Sequence, residues 1–407
     1  MFNLEVPKKF APLIGQAHQV AEEVLRPISR KYDDGGHARP RELDMLAAMI
    51  DGLNAGDSAG GAGAAGVRRS ASEAKGGAKP ENRNGSNLST ALSVMEMCWG
   101  DVGLLLSIPR QGLGNSAIAS VADDEQHARY AGRWAAMAIT EPEAGSDSAS
   151  IRTTARLDGD EYVLNGEKIY VTAGERAELV VVWATLDRDA GRAAIKSFVV
   201  ERSNPGMVLD RLEDKLGIRA SDTAAFRLEE CRVPKEDLLG SPEVNTGAGF
   251  GGVMQTFDNT RPLVAAMAVG VTRACLELTH ELLVAGGVVI DRSRPVMAQS
   301  AAVARFLAME ADYEAARLLT MQAAWMADNS RPNSLQASMA KAKAGRTGVD
   351  VALGCIELLG AAGYGERELL EKWARDVKIL DLFEGTQQIQ LLIVARQLLG
   401  KSSAELK

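Results

Sequence analysis

The chain has 407 residues, a net charge of −8 and 46% hydrophobic residues, enough for two or three domains with a sizeable core. The acidic balance argues against a nucleic-acid or anionic-membrane binder, because neither gains from a negative surface, and leaves room for a local basic pocket. Four dispersed cysteines (Cys98, Cys231, Cys275 and Cys355) form no CxxC pair and suit buried free thiols in a reducing, cytoplasmic setting. The four histidines show no metal-ligand spacing. The start of the chain lacks an apolar signal core, and the absence of 18 uninterrupted apolar residues argues against a membrane span.

Residues 7–53 have apolar positions at helical spacing, broken at His37-Ala38-Arg39-Pro40. Residues 54–88 are rich in Gly, Ala, Ser and Asn without periodicity, which predicts a long loop inside a helical domain, since helical pattern resumes directly afterwards. From about residue 136 the period becomes strand-like. The stretch DEYVLNGEKIYVT carries an Asn165-Gly166 pair between two β-rich runs, which predicts a hairpin. Three further strand-like runs give a β-domain, a small barrel or sandwich. From residue 247 four long Ala/Leu-rich helical stretches follow, the last closing the chain, and these pack most simply as a bundle.

Four short stretches carry chemistry. ITEPEAGSDSA (139–149) offers hydroxyls at Thr140, Ser146 and Ser148 and a Gly145 that lets backbone N–H groups approach a ligand; an ordinary polar turn explains its composition equally well. YVTAG (170–174) presents Tyr170 and Thr172, a face and a hydrogen bond for a flat heterocycle, although a half-buried strand end is the simpler explanation of either residue alone. FDNTRP (257–262) puts Asp258 and Thr260 at a plausible helix start with Arg261 behind, able to hold an anionic or polarised group; a helix cap with a solvated arginine is the plainer alternative. FEGTQQIQ (383–390) sets Glu384 beside Gly385 ahead of an apolar helix. Residue type alone favours a first-turn carboxylate there over a base, because a base needs burial to raise its pKa. No GxxxxGK(S/T) and no GxGxxG after a strand is present, so any nucleotide is held by neither a P-loop nor a dinucleotide-binding βαβ unit.

In combination these stretches resemble the acyl-CoA dehydrogenase family of flavoenzymes. ITEPEAGSDSA, NGEKIYVTAG, KLGIRASDTAAFRLEECRVPKEDLLG, FDNTRP and FEGTQQIQLLIVAR come in that family's order and spacing. The resemblance spans nearly the whole chain, more weakly before residue 90. It implies an α+β fold: an N-terminal α-domain (1–135), a middle β-domain (136–240) and a C-terminal four-helix bundle (241–407), with FAD between them. It implies that Met137, Ile139, Thr140, Gly145 and Ser146 line the flavin, that Tyr170 and Thr172 wall its ring, and that Thr386 and Gln388 also contact it. Ser146, Asp258, Arg261, Gly385 and Arg396 would meet the acyl-CoA, with Arg396 roughly 18 Å along the helix from Glu384. Glu384 falls on the catalytic base, which would take the α-proton as flavin N5 accepts the β-hydride. The product would be a trans-2-enoyl-CoA, and an electron-transfer flavoprotein would receive the electrons. The acyl group stays open among fatty, short branched and steroid side-chain types.

Two family features are missing. The Arg-x-x-Phe-Gly expected before Pro295 and Gln299 is replaced within GGVVIDRSRPVMAQ, where its arginine position falls on Val289 or Val288. The Gln-x-x-Gly-Gly that grips the adenine half of FAD reads Glu357 to Ala361. Glutamate loses the amide's donors and adds charge near a diphosphate. Both motifs act across a subunit interface in the family, which implies a heterotetramer with a paralogous subunit, as in two-subunit actinobacterial acyl-CoA dehydrogenases. The alternatives are a homotetramer using Arg292 or Arg294 instead, and an FAD-poor structural subunit. An oxygen-using oxidase ranks lower, because those chains are usually longer.

Overall fold

The computed structural model describes residues 5–53, 84–109, 113–244, 251–402 and 405, and only the backbone within 49–53 and 251–259. The chain begins with α1 (Ala11–Val20), which passes through a π turn at Ala21–Leu25 into α2 (Arg26–Asp34). Helix α3 (Glu42–Leu53) follows. Most of the expected 54–88 loop lies outside the described residues, and its last three residues are already helical in α4 (Ser86–Gly100). The first turn of α4 has no cap of its own. Asp328 supplies one from a distant helix end, accepting from the N–H groups of Gly85 (2.8 Å), Asn87 (2.9 Å) and Leu88 (3.1 Å). Short helices α5 (Val102–Leu105), α6 (Leu113–Val121) and α7 (Asp124–Tyr130) complete this part, the last opened by a reciprocal Asp123–Gln126 cap.

The middle region is one seven-stranded sheet: β1 (Ala135–Ala138), β2 (Thr154–Asp158), β3 (Glu161–Thr172), β4 (Leu179–Thr185), β5 (Ile195–Glu201), β6 (Met207–Leu212) and β7 (Thr223–Pro234). Its order is β1-β4-β2-β3-β7-β6, with β5 also on β4. It curls so that β1 packs back on β3. Strand β4 is buried along its whole length. Val180 and Val182 face the sheet's interior core, and Leu179 and Val181 face Ala117 and Ile118 of α6.

The expected hairpin turn at Asn165-Gly166 is not there. The turn falls earlier, at Gly159-Asp160, where Asp158 pairs with Glu161. Asn165 and Gly166 lie inside β3 at a shift of register against β7. The Asn165 side chain exchanges two hydrogen bonds with Glu230 there. The glycine answers a close approach, since a Cβ on Gly166 would stand 2.4 Å from Thr153 Oγ1.

The C-terminal region contains α8 (Gly251–Ala285), α9 (Ala301–Asp328), α10 (Ser334–Leu359), α11 (Ala361–Tyr364), α12 (Leu370–Leu380) and α13 (Gln387–Leu399). FDNTRP is therefore inside α8, not at its start, with Pro262 in the helix interior. The N-terminal anion site expected from it does not exist. Helix α12, which apolar periodicity did not pick out, packs on α8 and α10, while α13 lies along α10. Residues Thr260–Ala285 are long and apolar enough to cross a membrane, but 83% of their most apolar window is buried inside the protein, as in a core helix. Leu88, Leu92, Met95 and Cys98 of α4 belong to the bundle core. A Cβ at Gly270 of α8 would meet the Met95 carbonyl at 2.3 Å, so only glycine permits this crossing.

All three parts meet at one buried cluster. Lys372 of α12 bonds Asp101 (2.7 Å) and Asp376 (2.5 Å). Ser29 of α2 donates to Asp101, and Asp376 accepts from the Ile218 N–H in KLGIRAS. Burial alone would pull the Lys372 ammonium down, but Asp101 and Asp376 outweigh it and raise it. Gly217 is required beside it, since a Cβ would lie 2.4 Å from the Arg375 backbone. Lys372→Met leaves two buried carboxylates without their counter-charge. We expect a loss of about 3–5 kcal/mol, read as a lower denaturant midpoint than that of a surface control such as Lys235→Met.

Candidate active site

Glu384 sits in the connector between α12 and α13, in a left-handed conformation (φ 56°) followed by Gly385 at φ 93°. For a glutamate this backbone costs on the order of 1–2 kcal/mol, so its surroundings must impose it. They do. Gln390 Nε2 donates to the carbonyls of Glu384 (3.1 Å) and Gly385 (3.2 Å), and Lys341 Nζ to that of Gly385 (2.7 Å). Thr386 caps α13 through the Ile389 N–H.

The residue still reaches solvent in part, while its carboxyl lies deep enough for burial to raise its pKa above the ordinary value. Three neighbours act against that rise. Thr260 Oγ1 donates to Glu384 Oε2 at 2.7 Å, and the charges of Arg261 and Lys341 favour the carboxylate. A buried carboxyl with a raised pKa and a fixed hydroxyl partner is a stronger base than a solvated one. The alternative of a solvated first-turn carboxylate does not fit, because Thr386, not Glu384, caps the helix.

The second set of residues is on the sheet. Met137, Ile139, Thr140 and Thr172 are half-buried, and Gly145 and Ser146 are exposed just beyond the Pro142-Glu143 turn that the Glu141–Ala144 bridge closes. The turn is pinned from behind. Lys168 Nζ reaches the Ile139 carbonyl (3.1 Å) and Glu141 Oε1 (2.7 Å), and the Ile169 N–H donates to the Thr140 carbonyl at 2.9 Å. Glu141 also accepts from the N–H groups of Arg152 and Thr153. Burial works against its charge, yet Lys168 and these donors hold it below the usual carboxylate range. Burial in turn pushes Lys168 down to about 8. Tyr170 is not a plain strand end. It occupies a bulge at φ 57° and is 62% exposed, a ring presented outward by strained backbone.

The remaining expectations divide. Arg261 is buried beside Glu384. The side chain of Asp258 lies outside the described residues. Gln388 is exposed on the first turn of α13, and Arg396 is at the far end of that helix, away from the base. Lys341, Gln390, Lys168 and Glu141 were not singled out from the sequence. A signal for Lys341 existed: it stands among Ala337, Ala340, Ala344 and Gly348, on the buried stripe of α10.

Family models for the acyl-CoA dehydrogenase middle domain and C-terminal domain match residues 136–231 and 247–399. The short-chain specific acyl-CoA dehydrogenase of Rattus norvegicus mitochondria is 39% identical over 265 residues, 64% of this chain and 62% of the relative. The Homo sapiens protein of the same name is 38% identical over the same shares. The chain thus matches about three-fifths of the length of these relatives. The butyryl-CoA dehydrogenase structure from Megasphaera elsdenii superposes with a TM-score of 0.80 at 27% identity, covering 98% of this chain and all of that one. The chain belongs to the acyl-CoA dehydrogenase family.

FAD is the cofactor of that family, and the sheet residues fit its ring. Thr140, Thr172 and Ser146 offer hydroxyls that are half-buried or exposed, and a Cβ at Gly145 would meet nothing within 4 Å, which leaves room for a close ligand. The bundle residues suit its far half poorly. Val289 is 79% exposed, Arg292 is paired with Glu310, and Glu357 with Arg305.

The raised pKa of Glu384 has a signed consequence for stability. The folded state favours the protonated form, so that contribution is full below the unfolded value of 4.5 and is lost as pH rises through the folded pKa. Glu384→Gln should therefore melt above the wild type at neutral pH, with the difference vanishing below about pH 4. Melting curves across pH check this.

Proposed function

We propose that this protein oxidises the Cα–Cβ bond of an acyl-CoA thioester to the trans-2-enoyl-CoA, with Glu384 as the base. The observation that carries the reading is the Glu384 carboxyl: buried, raised in pKa, hydrogen-bonded to Thr260 and mounted on a strained turn. FAD, when bound, supplies the acceptor for the β-hydride at flavin N5. The chain's own work is to prepare the proton transfer. The Glu384 N–H is the protein donor proposed to polarise the thioester carbonyl, which loosens the α-proton. Acyl binding expels the remaining water, which strengthens the carboxylate as a base. Tyr170 and Thr172 would wall the ring, and Ser146, Gly385 and Arg261 would meet the acyl-CoA. An electron-transfer flavoprotein is the proposed acceptor, and the free, buried cysteines support a cytoplasmic setting.

We further propose a heterotetramer with a paralogous subunit. The two places where the family's cofactor-gripping motifs are missing are occupied by internal ion pairs. Arg292 bonds Glu310 (Nε to Oε2, 3.1 Å), and Arg305 pairs with Glu357. Arginines already neutralised by glutamates offer little to a diphosphate. A partner would supply those contacts.

The test is to purify the chain alone and with its nearest genomic paralog, then record the flavin spectrum and its bleaching by an acyl-CoA panel that starts with butyryl-CoA. We expect little FAD on the isolated chain, and about one FAD per heterodimer with substrate-dependent bleaching in the complex. A fully flavinated, active homotetramer contradicts the heteromer. A complex that no acyl-CoA bleaches supports a structural subunit.

A further inference from the structure

Three lysines, Lys168, Lys341 and Lys372, are among the largest fully buried side chains. Two are explained by charge: Lys168 lies 2.7 Å from Glu141, and Lys372 lies against Asp101 and Asp376. Lys341 differs. Among the described residues no carboxylate forms an ion pair with it, and its ammonium is spent on a backbone carbonyl, that of Gly385, at 2.7 Å. Burying an ammonium without a contact ion pair is unfavourable, so its position asks for a role. Gln390, also fully buried, converges on the same carbonyl and on that of Glu384. The two side chains grip consecutive carbonyls of the two residues held at φ 56° and φ 93°. A Cβ on Gly385 would meet Gln390 Nε2 at 2.3 Å, so the grip and the glycine are matched.

We propose that Lys341 is a positioning residue for Glu384: with Gln390 it clamps the left-handed turn that presents the carboxylate, and its charge sets how readily that carboxylate takes a proton. The inference rests on Glu384 being the base. The charged groups facing Lys341 are Glu384 and Asp381 from the connector and Arg261 from α8. Asp381 is in turn faced by Lys378 of α12 and Arg346 of α10. Glu384 thus sees two cations, Arg261 and Lys341, that oppose the effect of burial. Burial pushes Lys341 itself down to about 8, so its charge is retained at neutrality and lost in the alkaline range.

The role separates into geometry and charge, and three variants divide them. In single-turnover flavin reduction by the FAD-loaded enzyme, Lys341→Met should slow the step about tenfold to a hundredfold, since a small misplacement of a reacting group costs that much. Substrate dissociation constants should change less than about threefold, because the interaction lost acts on the proton transfer. The acid limb of the pH profile should move to higher pH, because a cation that favoured the carboxylate is gone. Lys341→Arg should leave that limb near the wild-type position. Gln390→Met should slow the step without moving the limb, as it removes a clamp and no charge. A merely structural lysine would lower the melting temperature and leave the limb of the surviving enzyme in place; that result, or unchanged rate and limb in Lys341→Met, overturns the proposal. Glu384→Gln is measured alongside. If it reduces flavin at the wild-type rate, the base assignment itself fails; if it is silent while Lys341→Met is normal, only the positioning role fails.

Discussion

The ammonium of Lys372 holds the molecule together at its centre. It is nearly inaccessible and lies between Asp101 of the helical N-terminal part and Asp376 of its own helix. Asp376 also takes the backbone N–H of Ile218, from the loop that leaves the sheet. Each of the three regions thus contributes a polar group to one connected network, in which Lys372 and Asp376 bond to groups of the other two. Apolar contacts could tolerate sliding between these regions, but a buried charge network with fixed directions cannot. Gly217 and Gly270 serve the same end, since each removes a side chain where two backbones come within contact distance. Because α12 leads directly into the connector that carries Glu384, anchoring α12 also places the start of the site.

The site repeats this logic on a smaller scale. Both of its halves consist of a turn under constraint, held from behind by a buried lysine. On the sheet, Lys168 and Glu141 hold the Ile139–Thr140 turn. In the bundle, Lys341 and Gln390 hold Glu384–Gly385. The groups that would touch ligands are the hydroxyls of Thr140, Thr172 and Ser146 and the buried carboxyl of Glu384. Strained backbone at Glu384 is sustained by this supporting layer, as expected where a site is over-determined by its surroundings.

Much of this was legible in the residues. The α, β, α order followed from the change of period, and the co-linear stretches around Thr140, Tyr170, Thr260 and Glu384 pointed to one family and one base. What was not legible has physical reasons. Asn165-Gly166 has the composition of a hairpin turn, but its glycine answers the approach of Thr153, a tertiary contact that local sequence does not carry. FDNTRP looks like a helix start because Asp, Asn, Thr and Pro favour caps, yet α8 begins at Gly251 and buries Thr260 and Arg261 in its interior. Helix α12 was missed because its charged residues Lys372, Arg375 and Asp376 mask its apolar stripe, and their partners lie on other elements. Burial of Lys341 was readable from its phase on α10; its contact with Gly385 was not.

The account depends on Glu384 acting as the base, and proton exchange tests this without requiring oxidation. An acyl-CoA analogue with sulfur in place of the β-carbon keeps acidic α-protons and has no β-hydride to lose. Incubated in D2O with the FAD-loaded protein, it should exchange its α-protons when Glu384 is present. It should bind equally well but exchange negligibly with Glu384→Gln. Exchange at the wild-type rate in that variant would show that another group takes the proton and would contradict the account.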